Sequence, residues 1–500
     1  MQSLLRSPNA WLAALALVLA LALLGQRGIW DPDEGRYTNA ALHMLDSGNW
    51  IEPHRSEEVG HWTKPPLTYW AIASSVAVFG HNPWAARLPA ALSYLVCAWL
   101  AWRMARRLAP GAETQAAAIF ATMLFPFGAA QLITTDYLLA ACEALALWGF
   151  VEARFGAPRH ARRWLALMWA GFALAFLAKG PPGLVPLLAV FAFDALTANR
   201  QEDGSERPRA LQWWGPLLFA AIALPWYALV CARNPGLLDY FLGAEVVDRI
   251  ASNDFNRHGQ WYGWLAIYAP TLLLGTLPWT PALLRWARTL PAQLRDWRTR
   301  EGRNGDRAGL LLALWLALPL LVFCLSRSRL PLYILPLFVP LALLAARQRQ
   351  REGRALPRWR WLLAWAALLL ALEFATALWP THKDARAWAA AIRARAPGPI
   401  TQVDIVDDMA RYGLHLHLGA GVEKLSLGNP PQPRFSPEYE GDVSDELGDD
   451  YDPDAVWFTK QDNFAKVAAH LHALGFVAVV QGTPYQGRVI FRVRRLGDAR

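Results

Sequence analysis

With 500 residues, 54% of them hydrophobic and 26 of them tryptophan, the chain is too apolar for an ordinary soluble enzyme and too long for one small domain. The formal net charge of +9 does not indicate nucleic acid, because the arginines sit in short loops between apolar runs and not on one amphipathic face or among stacking aromatics. Cys97, Cys142, Cys231 and Cys324 lie in or beside apolar runs without a CxxC pair or metal-ligand spacing, so neither a disulfide framework nor a cysteine-metal site is indicated.

A bilayer core about 30 Å thick takes roughly 20 helical residues to cross. Eleven stretches read as spans: Ala10 to Leu24, Trp84 to Trp102, Gln115 to Leu132, Leu138 to Phe155, Trp164 to Leu177, Gly183 to Leu196, Trp214 to Cys231, Trp261 to Leu284, Leu310 to Leu325, Pro331 to Ala346 and Trp361 to Leu378. The first could instead be a cleaved signal peptide, since Arg6 precedes an apolar stretch of suitable length. Tyr37 to Leu45 and Leu67 to Phe79 are too short or too mixed to cross and read as interfacial helices. Arginine-rich loops after alternate spans mark the cytoplasmic side. The same alternation puts 31–82, 134–137, 179–182, 233–260 and 326–330 together on the opposite face.

From Pro380 the character changes. Val403 to Val406, Ala455 to Phe458, Phe476 to Val480 and Val489 to Val493 read as strands, with a helix over Asn463 to Leu474. The expected fold is therefore an all-α polytopic membrane domain, 1–379, with an outer loop at 30–82, followed by a small α/β domain, 380–500.

The segment Trp30-Asp31-Pro32-Asp33-Glu34-Gly35-Arg36-Tyr37 puts three carboxylates and an arginine where the first span meets water, and charge crowded at such a boundary reads as a site. Asp33 or Glu34 could serve as a general base, or simply open the helix that follows. Lys64 and Lys179, two of only six lysines, stand beside prolines on the outer face. A lysine there suits a phosphate, although a snorkelling interfacial lysine is the commoner case. Thr134-Thr135-Asp136 and the 233–260 loop, with Glu245 and Arg249, lie on the same face. Arg327 and Arg329, outward against the positive-inside bias, call for an anionic ligand.

In this order, Asp33-Glu34-Gly35-Arg36-Tyr37, Lys64-Pro65-Pro66-Leu67, Arg87-Leu88-Pro89, Lys179-Gly180-Pro181, Glu245 with Arg249, Trp261-Tyr262 and Leu330-Pro331-Leu332-Tyr333 resemble the bacterial aminoarabinose transferase branch of the protein mannosyltransferase-like GT-C glycosyltransferases. The resemblance implies a GT-C fold in a bacterial inner membrane, with the active site and the C-terminal domain on the periplasmic side. It implies transfer of a sugar from a polyprenyl phosphate donor to a lipid or glycan acceptor such as lipid A, or to protein. By similarity Asp33 is the acceptor-activating base, with Glu34 or Asp136 orienting it. Lys64, Arg249 and Tyr333 hold the donor phosphate with Arg327 nearby, and Arg36, Tyr37, Lys179 and Glu245 also contact substrate. The branch carries a glutamate before Lys-Pro-Pro and a histidine after the glutamate of Glu-x-x-x-Arg, a pair associated with a bound metal; here Thr63 and Val246 stand there. No metal is expected at that position and no cofactor is called for, with a divalent metal elsewhere left open.

Two other classes compete. A secondary transporter would place charge near the bilayer midplane and show matching halves; Glu143, Asp194 and Glu373 are the few acidic residues in or near spans, and the sequence shows no matching halves. An assembly or lipid-flipping component would tolerate loss of Asp33.

Overall fold

The computed structural model describes residues 8–198, 206–243, 258–448 and 451–497. The chain is mostly helical and divides into two compact units: 1–23 with 90–373, and 24–89 with 374–500. Residues 24–89, which include the 30–82 outer loop that the sequence assigns to the membrane domain, thus group with the C-terminal region.

Among the described residues six helices are long and apolar enough to cross a membrane: Pro83–Leu108, Pro158–Lys179, Trp214–Arg233, Arg307–Leu325, Pro331–Arg351 and Trp359–Leu378. Helix is the expected state of such runs, because it satisfies every backbone polar group internally. Two of the expected spans are interrupted. The run from Gln115 forms Glu113–Thr122 and Leu124–Ala130, broken at Met123, which is extended at ψ 135°. The run from Trp261 forms Gly263–Gly275 and Thr280–Asp296 on either side of Pro278. The breaks serve each other: Leu124 N–H donates to Leu277 O at 3.1 Å, and Trp279 Nε1 donates to Thr122 Oγ1 at 2.9 Å. Backbone groups freed at a break in a helix need such partners when they are withdrawn from water.

The same unit contains a tight antiparallel hairpin, Thr135–Phe155 against Ala161–Lys179. A Cβ on Gly149 would come within 2.7 Å of the backbone of Met168 and Trp164, and one on Gly171 within 2.8 Å of Ala146. Small residues at these crossings let the two backbones approach. The resulting register brings the first turn of one helix beside the last residue of the other.

The second unit holds a six-stranded sheet of β1 (Gln402–Val406), β2 (Gly421–Ser426), β3 (Gly441–Asp442), β4 (Val456–Lys460), β5 (Phe476–Val480) and β6 (Arg488–Arg495). The order is β3-β2-β1-β4-β6-β5, parallel from β3 to β4 and antiparallel at β6 and β5. Trp388, Val403, Ile405, Phe458 and Ile490 pack in one core cluster, and Val467, Leu471, Trp457 and Phe491 in another. The four expected strands and the helix, Phe464–Ala473, are present. β2, β3 and the Ala385–Arg395 helix are additional; β2, Gly-Val-Glu-Lys-Leu-Ser, is too polar and irregular to stand out by alternation.

Within this unit residues 24–89 are stitched to the C-terminal region through backbone. Asp31 N–H donates to Lys383 O and Ala385 N–H to Ile29 O, both at 2.9 Å, while Arg386 donates to the carbonyls of Gly25 and Gln26 at 2.8 Å.

Candidate functional site

The helix Asp33–Ser47 starts with two carboxylates of opposite fate. Glu34 is buried, its side chain 4% exposed, and its oxygens accept from Arg27 at 2.7 and 3.0 Å, from Arg87 at 2.9 and 3.1 Å and from Trp30 N–H at 2.9 Å. Although burial opposes ionisation, the guanidinium groups of Arg27 and Arg87 win and hold the carboxyl at about 2. Glu34 is thus an anion locked into the fold. Asp33 is the reverse: its side chain is 82% exposed, with Arg36 NH2 3.6 Å away. Of the pair, only Asp33 is open to an acceptor.

Asp31 is a third kind of carboxyl. It is buried, with Oδ1 accepting from Gly413 N–H at 2.9 Å and Oδ2 without a hydrogen-bond partner. Burial raises it well above the usual carboxylate range, against the pull of Gly413 N–H and Arg411. Gly35 is required by this contact, because a Cβ there would overlap Asp31 Oδ1 and crowd Gly413 N. Asp31 and Gly35 therefore fasten the motif to the 411–413 turn, which leaves Asp33 to face outward with Arg36 half-buried beside it. The same helix is held further along, where His415 Nδ1 lies 2.7 Å from Asn39 Oδ1 and its Nε2 3.1 Å from Asp46 Oδ2.

Around Arg36 and Lys64 the unit gathers positive charge. Lys64, 9% exposed, donates from Nζ to Thr63 O. His61 is buried with Arg55, Arg36 and Lys64 near it, and burial together with those cations pushes its imidazole well below the ordinary value, so it is neutral at pH 7. Tyr37 stacks on Tyr69 at 6.0 Å, and His61 meets the same ring edge-on at 5.8 Å. Arg55 pairs with Glu440 at 3.2 Å, and Tyr412 OH donates to the same carboxylate at 2.6 Å. Thr63 stands where the resemblance calls for a carboxylate, with its hydroxyl 3.1 Å from His61 Nε2. Among the described residues no group of three His, Cys, Asp or Glu is placed to hold a metal ion.

In the other unit, the hairpin register puts Asp136 and Lys179 in an ion pair. Thr134 caps the helix by accepting from Asp136 N–H at 3.3 Å. Lys179 Nζ also lies 4.5 Å from the centre of the Tyr333 ring, whose hydroxyl is 3.4 Å from Ser328 Oγ. Arg327 is exposed at the turn. Arg329 is buried instead, donating to the carbonyls of His258 and Gln260 at 2.7 Å and of Cys324 at 3.0 Å. One outward arginine is therefore structural. Glu245 and Arg249 lie outside the described residues.

Sequence reasoning put all the candidates on one face; the structure describes Asp33, Arg36, Tyr37 and Lys64 in one unit and Asp136, Lys179, Arg327 and Tyr333 in the other. It missed the anchoring partners Arg27, Gly413 and His415. A signal existed for Arg87, a lone arginine early in an apolar helix, where burial without a carboxylate is costly.

A model of the dolichyl-phosphate-mannose-protein mannosyltransferase family matches residues 63–228, which include Lys64, Asp136 and Lys179. The chain is 32% identical over 359 residues to an undecaprenyl phosphate-alpha-4-amino-4-deoxy-L-arabinose arabinosyl transferase of Pseudomonas fluorescens, 69% of this chain and 61% of that protein. It is 34% identical over 357 residues to the corresponding protein of Sodalis glossinidius, 70% of this chain and 61% of that one. The chain thus spans about three fifths of these relatives' length. Its fold is that of ArnT from Cupriavidus metallidurans, solved with undecaprenyl phosphate bound, with a TM-score of 0.75 at 23% identity over 97% of both chains.

Proposed function

We propose that this chain, related in sequence and in fold to the ArnT proteins, is a membrane glycosyltransferase that moves a sugar from polyprenyl (undecaprenyl) phosphate to a lipid or glycan acceptor such as lipid A. The observation that carries the reading is the placement of the two lysines within the family match. Lys64 and Lys179 are each about nine-tenths withdrawn from solvent among polar and aromatic side chains, and a snorkelling lysine would reach outward instead.

In the proposed reaction an acceptor oxygen attacks the anomeric carbon, the bond from that carbon to the phosphate oxygen breaks, and the polyprenyl phosphate leaves with the electron pair. Asp33, exposed at the helix start, takes the acceptor proton. Lys64, Arg249, Arg327 and Tyr333 stabilise the phosphate as charge develops on it, so the donor needs no nucleotide. Lys179 is held by Asp136, and Arg36, Tyr37 and Glu245 contact the sugar or the acceptor. Glu34 supports Asp33 from below, through the helix it anchors.

The proposed topology has eleven crossings in a bacterial inner membrane, 1–379 forming the catalytic domain and 380–500 an α/β domain. The chemistry faces the periplasm, as the arginine-rich loops on the opposite side support. Mass spectrometry of lipid A, surface glycans and secreted glycoproteins from cells with and without the protein tests the assignment. Loss of one sugar mass from one acceptor is expected, and identical spectra refute it.

A further inference from the structure

At the arginine-rich end of the helical unit, at the opposite end of the hairpin from Asp136 and Lys179, lies a cavity of about 420 Å³ lined by Arg103, Arg106, Arg107, Glu152, His160 and Trp164. Its charges do not cancel locally. Glu152 is taken by Arg107 at 3.1 Å. Glu113, at the rim, already accepts from Gly111 N–H at 3.0 Å. Arg103 and Arg106 make no ion pair among the described residues, and Arg103 Nε is buried without a hydrogen-bond partner. Both are propped by indoles: Arg103 lies 5.1 Å from the Trp148 ring and 5.6 Å from Trp99, and Arg106 5.0 Å from Trp102. Trp148 in turn packs edge-on against Trp164 at 4.9 Å. Trp99 is largely exposed on the apolar flank of the helix.

We propose that this cavity binds the phosphodiester headgroup of an anionic phospholipid, with Arg103 and Arg106 on the phosphate and the tryptophans along the first carbons of the acyl chains. Guanidinium groups suit phosphate oxygens, and indoles settle at the headgroup level of a bilayer. Basic pockets between membrane helices are the recurrent form of such sites. A soluble phosphate would satisfy the arginines equally but would make no use of the tryptophan flank. On the proposed topology the lipid belongs to the cytoplasmic leaflet, and its binding is independent of sugar transfer.

Native mass spectrometry of the full chain in a neutral detergent, titrated with phosphatidylglycerol, phosphatidylcholine or inorganic phosphate, tests this. Phosphatidylglycerol is expected to bind at least tenfold more tightly than phosphatidylcholine. At about fivefold for each arginine near a headgroup, Arg103→Gln with Arg106→Gln should weaken it about twenty-five-fold, with the lipid-free unfolding midpoint unchanged. Arg106→Gln alone, at an exposed position, should weaken it about fivefold even if the double variant folds poorly. Equal binding of the two lipids, unaltered binding by the Arg106 variant, or displacement of phosphatidylglycerol by equimolar inorganic phosphate would each overturn the proposal.

Discussion

Glu34→Gln removes one negative charge from between two arginines and leaves the shape nearly unchanged. In the native chain the carboxylate accepts from both guanidinium groups and from Trp30 N–H. The amide of glutamine would turn a donor toward donors and deprive two buried cations of the carboxylate they share. Breaking a buried pair from one side costs about 3–5 kcal/mol. A second route gives a similar figure: a carboxyl held at about 2 instead of 4.5 corresponds to about 3 kcal/mol, at about 1.4 kcal/mol per pH unit. Because the folded value is the lower one, this stabilisation is present above the ordinary carboxylate range and is lost as pH falls toward 2. Denaturant unfolding of the purified full chain at pH 7 should therefore show Glu34→Gln less stable by about 3 kcal/mol. Adding Arg87→Gln should cost less than the sum of the two single changes, since both remove the same interaction. A Glu34→Gln protein with the native unfolding curve and no transfer activity would refute the anchoring role and make Glu34 a participant in the chemistry.

The other expectations concern neighbouring residues. Asp33→Asn should abolish glycan transfer in membranes while leaving unfolding unchanged, because the side chain is solvent-facing; retained transfer would favour an assembly role. Gly35→Ala, whose added methyl would overlap Asp31 Oδ1, should lower stability by about 1–3 kcal/mol, and an unshifted midpoint would show that the Asp31–Gly413 contact is not needed. His43 is held near 4 by burial and by the neighbouring His415, 5.1 Å away ring to ring. The unfolded chain then binds more protons between pH 6.5 and 4, so stability should fall as pH drops through that window. His43→Gln should flatten that slope in unfolding titrations, and an unchanged slope would assign it elsewhere.

The sequence by itself determined the apolar runs that become membrane helices, four of the six strands, and the residues at which charge meets the membrane boundary. These are local properties: a run of leucines, an alternation of period two or an aspartate next to a span is readable without knowing what it touches. Only the tertiary structure decided the rest. That Asp33 is open while Glu34 is closed depends on Arg87, 53 positions away. That Asp31 is buried depends on Gly413, 382 positions away. The interruptions at Met123 and Pro278 are tolerated because each break supplies partners to the other, and the outward Arg329 is structural because it meets backbone carbonyls of the 258–260 turn. In each case the free energy lies in a contact between distant segments, and no local pattern of residues encodes who the partner will be.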